Sequence, residues 1–78
     1  IGNGASTGNN NATAVGAGAT ASTARSTAVG IDATASGTSS LAVGDDARAT
    51  GLTSVAVGPS AFTDAESAIA IGQNSKAF

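Results

Sequence analysis

The 78-residue chain contains no cysteine, histidine, methionine, tryptophan or tyrosine. Without cysteine there is neither a disulfide framework nor a thiolate metal site, and the redox compartment cannot be read from pairing. Without histidine as well, nucleophilic triads and zinc sites have no candidates. The only cations are Arg25, Arg48 and Lys76, set against five acids for a net charge of −2. That balance cannot supply the positive footprint that nucleic acid or an anionic membrane requires. No apolar run approaches the roughly 20 residues of a membrane span. Val, Ile, Leu and Phe number only 13 of 78, whereas Ala, Gly, Ser and Thr number 50. So low an aliphatic share raises the alternative of disorder. A strict residue register and a small net charge argue against it.

That register has a period of fourteen with no insertion. Ile1, Val15, Val29, Val43, Val57 and Ile71 form one column, and Gly2, Gly16, Gly30, Gly44, Gly58 and Gly72 form the next. Alanine precedes the branched column at Ala14, Ala28, Ala42, Ala56 and Ala70. It recurs four places after that column at Ala5, Ala19, Ala33, Ala47 and Ala61, with Ser75 as the exception. Self-similarity at one fixed period identifies a solenoid, in which each unit stacks on an equivalent unit. An alanine-rich helix is the competing reading. The periodic glycines, the many Ser and Thr and the β-branched columns all weigh against it.

In the unit Ser40 to Thr53, the segments Ser40 to Val43 and Ala47 to Thr50 alternate in the period of two that marks a strand. Gly44-Asp45-Asp46 and Gly51-Leu52-Thr53 carry turn residues, glycine for positive φ and aspartate for bonding its own backbone. Two strands and two turns close one coil, and parallel stacking at about 4.8 Å makes five and a half coils roughly 26 Å long. The inner faces carry Ala and Ser, so the lumen is narrow and alanine-lined. On the second strand the outer face is Thr20, Thr34, Arg48, Phe62 and Lys76 with Ser22, Ser36, Thr50 and Asp64, which can meet water. On the first strand it is an aliphatic stripe of Ile1, Val15, Val29, Leu41, Val43, Val55, Val57, Ile69 and Ile71. A contiguous apolar strip marks an interface. Closed rotational symmetry buries it best, as a dimer or a trimer, and composition does not choose between them.

The string Ser-x-Ala-Val-Gly-x-x-Ala-x-Ala-x-Gly, at Ser40 to Gly51 and nearly so at Ser26 to Gly37, resembles the head repeats of trimeric autotransporter adhesins of the YadA type. So does Ser-Ala-Ile-Ala-Ile-Gly at Ser67 to Gly72. The resemblance spans residues 1–78, five full coils and a partial sixth. It implies an all-β, left-handed parallel β-roll of 14-residue coils, assembled as a homotrimer with the branched column inward. It further implies display on a stalk anchored in a Gram-negative outer membrane. Asn3, Gly4, Asn9, Asn10 and Asn11 depart from the pattern in the first coil, and Thr13 and Thr27 stand where later coils have Leu41, Val55 and Ile69. Because the chain begins and ends in mid-repeat, it reads as part of a longer protein, with stalk, anchor and targeting segment outside it.

Other motifs are better explained by the repeat. Gly16-Ala17-Gly18-Ala19-Thr20-Ala21 matches a dinucleotide fingerprint but lacks the helix that the fingerprint opens. Asp32, Asp45 and Asp46, and Asp64 with Glu66, lack the spacing of calcium-binding β-rolls. Asn11-Ala12-Thr13 fits a glycosylation acceptor, a chance match in so Asn- and Thr-rich a segment. An ice-binding face needs an unbroken Thr ladder, which Arg48, Phe62 and Lys76 interrupt. A hexapeptide acyltransferase needs another period and a histidine. The expectation is a non-enzymatic, cofactor-free adhesin head that binds host matrix or cell-surface molecules. Its exposed anchor candidates are Arg25, Arg48, Leu52, Phe62 and Lys76, and a non-binding spacer is the alternative.

Overall fold

Each fourteen-residue repeat folds into one circuit of a parallel β-solenoid with two strands and two turns. The computed structural model describes residues 2–8 and 11–78. Three-residue strands β2 (Thr13–Val15), β4 (Thr27–Val29), β6 (Leu41–Val43), β8 (Val55–Val57) and β10 (Ile69–Ile71) form one five-stranded sheet. Two-residue strands β1 (Ser6–Thr7), β3 (Thr20–Ala21), β5 (Thr34–Ala35), β7 (Arg48–Ala49), β9 (Phe62–Thr63) and β11 (Lys76–Ala77) form a six-stranded sheet facing it. All pairs are parallel and shifted by one repeat, so Leu41 lies between Thr27 and Val55, and Ala49 between Ala35 and Thr63. The Cα envelope measures 28 × 22 × 11 Å, a flattened rod.

The strands are shorter than their alternating patterns. Ser40 and Ala47 belong to the turns instead, because their amides bond back to the carbonyls of Gly37 (3.0 Å) and Gly44 (3.2 Å). An amide committed to closing a turn is not available to a ladder.

The lumen is as small as the sequence requires. Ala19, Ala21, Ala28, Ala33, Ala35, Ala42, Ala47, Ala49, Ala56 and Ala61 are fully buried, as are Ser26, Ser54 and Thr63. Hydroxyls inside it must find acceptors, since a dry unpaired hydroxyl is costly. Ser26 Oγ donates to the Thr23 carbonyl at 2.7 Å and Ser54 Oγ to the Gly51 carbonyl at 2.6 Å. Thr63 Oγ1 then donates to Ser54 Oγ at 2.9 Å across the lumen. Ser40 Oγ has no partner among the described residues. Its equivalent acceptor, the Gly37 carbonyl, is already taken by the Ser40 amide at 3.0 Å and by Thr23 Oγ1 at 2.8 Å.

The turns are hydrogen-bonded along the axis as well as within the coil. In Gly44 to Ala47, the Ala47 amide closes on the Gly44 carbonyl at 3.2 Å, and Asp46 has φ +63°. This is the φ pattern of a type II turn, and Pro59 occupies the position of the equivalent turn where a φ near −60° suits it. The second turn has the same form, with Arg25, Ser39, Thr53 and Ser67 at φ between +56° and +61°. The left-handed residue turns its amide toward the preceding coil: Asp46 N donates to Ile31 O at 2.8 Å and Thr53 N to Thr38 O at 2.8 Å. That bond explains why even β-branched Thr53 tolerates a region such residues avoid.

The two glycine columns answer different demands. Gly16, Gly30, Gly44 and Gly58 have φ between +122° and +132°, and a Cβ on any of them would lie 2.7 Å from the carbonyl carbon of the next glycine in the column. Gly51 was expected to supply positive φ, but neither it nor its equivalent Gly37 has it. A Cβ there would collide with the carbonyl oxygen of Gly51 or Ala65 in the next coil. Close approach, rather than turn geometry, selects them.

Four substitutions test this packing by denaturation at fixed protein concentration. Gly44→Ala and Gly51→Ala should each cost about 2–3 kcal/mol, the first through strain and collision, the second through collision alone. Ser54→Ala should cost about 1–3 kcal/mol by stranding the Thr63 hydroxyl. Ser40→Ala should be neutral or stabilising, because it removes a polar atom that has no partner.

Candidate interaction faces

Side chains alternate across each three-residue strand, so burying the middle alanine turns the flanking residues outward. In β4, β6 and β8 the pattern is half-buried, buried, half-buried. Val15, Val29, Leu41, Val43, Val55 and Val57 accordingly form a half-buried ridge on the outside of the five-stranded sheet, each beside its equivalent in the adjoining coil. Ile69 and Ile71, on the outermost strand, have a neighbour on one side only and are 63% and 67% exposed. Ile1 lies outside the described residues. Among the described residues the buried apolar cluster behind the ridge is alanine throughout, and the ridge side chains are not part of it.

The other sheet presents a polar face with one apolar and cationic interruption. Arg48, exposed, places its guanidinium carbon 5.3 Å from the Phe62 ring centroid. The Phe62 ring meets Phe78 edge to face at 5.6 Å and is half-buried between them. Lys76 stands beside Phe62 in the ladder and is exposed. Thr50 Oγ1 donates to the Thr63 carbonyl at 2.7 Å and to Asp64 Oδ1 at 3.2 Å, which ties this face together along the axis. The remaining two anchor candidates lie in the second turn: Arg25, whose Nε donates to Ser39 Oγ at 3.2 Å, and Leu52, 50% exposed. The five therefore do not form one site. Arg48, Phe62 and Lys76 share a patch on the sheet, while Arg25 and Leu52 belong to an adjoining edge.

Ile31 and Phe78 were not singled out from sequence. Ile31 is 56% exposed in the first turn, at a place where other coils have Ala17, Asp45 or Pro59. That break in its column was the available signal. Phe78 meets Phe62 outside the fourteen-residue register, and the repeat gave no cue to it. Among the described residues there is no pocket and no grouping of three or more metal-ligating side chains.

The family model for the YadA head domain repeat, described as two copies, matches residues 8–33, 21–47, 35–61 and 49–75 in overlapping steps of one coil. None of the curated proteins matches the chain.

A double-mutant cycle on Arg48→Ala and Phe62→Ala should give a coupling of about 0.5–1 kcal/mol, as expected for a cation over an exposed ring. Zero coupling in thermal unfolding would mean that the Arg48 side chain only rests in solvent.

Proposed function

Because the chain belongs to the YadA head repeat family, an adhesin-type structural family rather than an enzymatic one, we propose that it works as the head of a trimeric autotransporter adhesin. In this reading residues 1–78 are one continuous head segment of left-handed coils. Three copies stand side by side, and Ile1, Val15, Val29, Leu41, Val43, Val55, Val57, Ile69 and Ile71 of each face a common axis. Glycines 2, 16, 30, 44, 58 and 72 hold the turns that flank the ridge. The rod sits on the bacterial surface, carried by segments beyond this stretch, and its polar sheet and turns meet host matrix or cell-surface molecules.

The observation that carries the proposal is the ridge. Fully burying a Val, Leu or Ile side chain is worth about 1.5–3 kcal/mol, and each ridge residue has gained only part of that from its ladder neighbours. A single chain cannot cover the remainder, whereas a closed symmetric assembly covers every copy equally. Three identical polar faces add multivalency, so that weak contacts through Arg25, Arg48, Leu52, Phe62 or Lys76 multiply without a deep pocket.

Analytical ultracentrifugation should show three 7.2 kDa chains associated. Val43→Asp with Val57→Asp should reduce the particle to a single, poorly folded chain. A double variant that sediments like the parent would refute the ridge as the interface. Attachment is tested separately, by binding of the intact trimer to matrix proteins or host cells against a variant with Arg25, Arg48, Leu52, Phe62 and Lys76 all changed to Ser. Loss of binding in the variant supports a ligand-facing role. No binding by the parent would make this stretch a spacer.

A further inference from the structure

A ridge built from identical repeats has a problem of alignment. The column Val15, Val29, Val43, Val57, Ile71 changes little from coil to coil, so a neighbouring copy displaced by one coil, about 4.8 Å, would still meet branched side chains. The companion column does change. It runs Thr13, Thr27, Leu41, Val55, Ile69, with Thr13 paired to Thr27 and Thr27 to Leu41 in the ladder. Thr13 is exposed and Thr27 half-buried, and both lie on the outward side of strands whose alanines are buried. The hydroxyls of Thr20, Thr23, Thr34, Thr50 and Thr63 bond within the chain, whereas those of Thr7, Thr13, Thr27, Thr38 and Thr53 have no partner among the described residues, and of these five only Thr13 and Thr27 stand in the ridge.

We propose that Thr13 and Thr27 are the register key of the assembly, setting the axial alignment of one copy against the next. The inference rests on the trimer reading above. In an aligned trimer, three Thr27 hydroxyls lie at one level and three Thr13 hydroxyls at the next. Each hydroxyl is both donor and acceptor, so three can close a ring of O–H···O bonds around the axis. A copy displaced by two coils sets Thr13 against Leu41 and Thr27 against Val55 of a neighbour and leaves both hydroxyls unpaired in an apolar seam. The aliphatic part of the ridge then supplies association without alignment, and the two threonines supply alignment. A single buried polar residue plays the same part in coiled coils, fixing register at a cost in stability.

The absence of cysteine allows a direct test. Chains carrying Val29→Cys and chains carrying Val57→Cys are co-assembled under a glutathione redox buffer, and disulfide adducts are read by mass spectrometry. The two positions lie two coils apart, about 9.6 Å along the axis, too far for a disulfide between aligned copies, and a slip of two coils brings them level. With both threonines present, only 29–29 and 57–57 adducts are expected. In the background Thr13→Val with Thr27→Val, which keeps shape and removes the hydroxyls, the 29–57 adduct should rise about tenfold or more while the melting temperature rises. Thr13→Ser with Thr27→Ser should restore alignment. Trimers whose 29–57 fraction is equal with and without the hydroxyls would overturn the register key alone. Single chains with no adduct of any kind would overturn the trimer reading and the key with it.

Discussion

The width of the lumen governs this molecule. Two facing sheets that admit only methyl, hydroxymethyl and one Thr63 side chain leave no room for branched residues, so the aliphatic bulk of the chain is forced outward. In an ordinary small domain the large apolar side chains make the core and the small ones fill gaps. Here the order is inverted: alanine makes the core, and Val, Leu and Ile make a surface. The fold is therefore incomplete in a specific sense, since the residues with most to gain from leaving water lie where their own coil cannot cover them. Membership of a family whose heads are trimeric fits that physical incompleteness.

The coil itself was legible because its constraints repeat. Val43, Gly44 and Ala47 each recur at fourteen-residue intervals, and the resulting columns predicted parallel in-register pairing, the alanine lumen and the outward aliphatic stripe. What escaped the sequence reading had causes that do not recur as residue types. The second-turn position holds Arg25, Ser39, Thr53 and Ser67, none of which announces a left-handed backbone, and the reason for it is an amide bonded to the coil before. Gly51 looked like a turn glycine and is instead a clearance for the Ala65 carbonyl. Ser40 looked equivalent to Ser26 and Ser54, yet it competes with Thr23 for one carbonyl and goes without.

The candidate surface was less legible than the fold, for a related reason. Stacking constrains inward and ladder positions but leaves outward ones free, so Arg48, Phe62 and Lys76 share a column without sharing chemistry. The fold brings Phe78 against Phe62 and Arg48 over the same ring, making one patch from residues of three coils. Arg25 and Leu52, similar to these in exposure, lie on a different edge.

The hydrogen bonds between coils have a mechanical consequence. They run along the rod, at the turns as well as the strands, so tension applied to the two ends is carried by the same set of bonds at every level, in series. The weakest level yields first and peels a single turn of the spiral. That turn is about 4.8 Å tall when folded but about 48 Å long when its fourteen residues are drawn straight. A pulled rod therefore lengthens in discrete steps of some ten times its folded rise, with each step sparing the levels that have not yet given way.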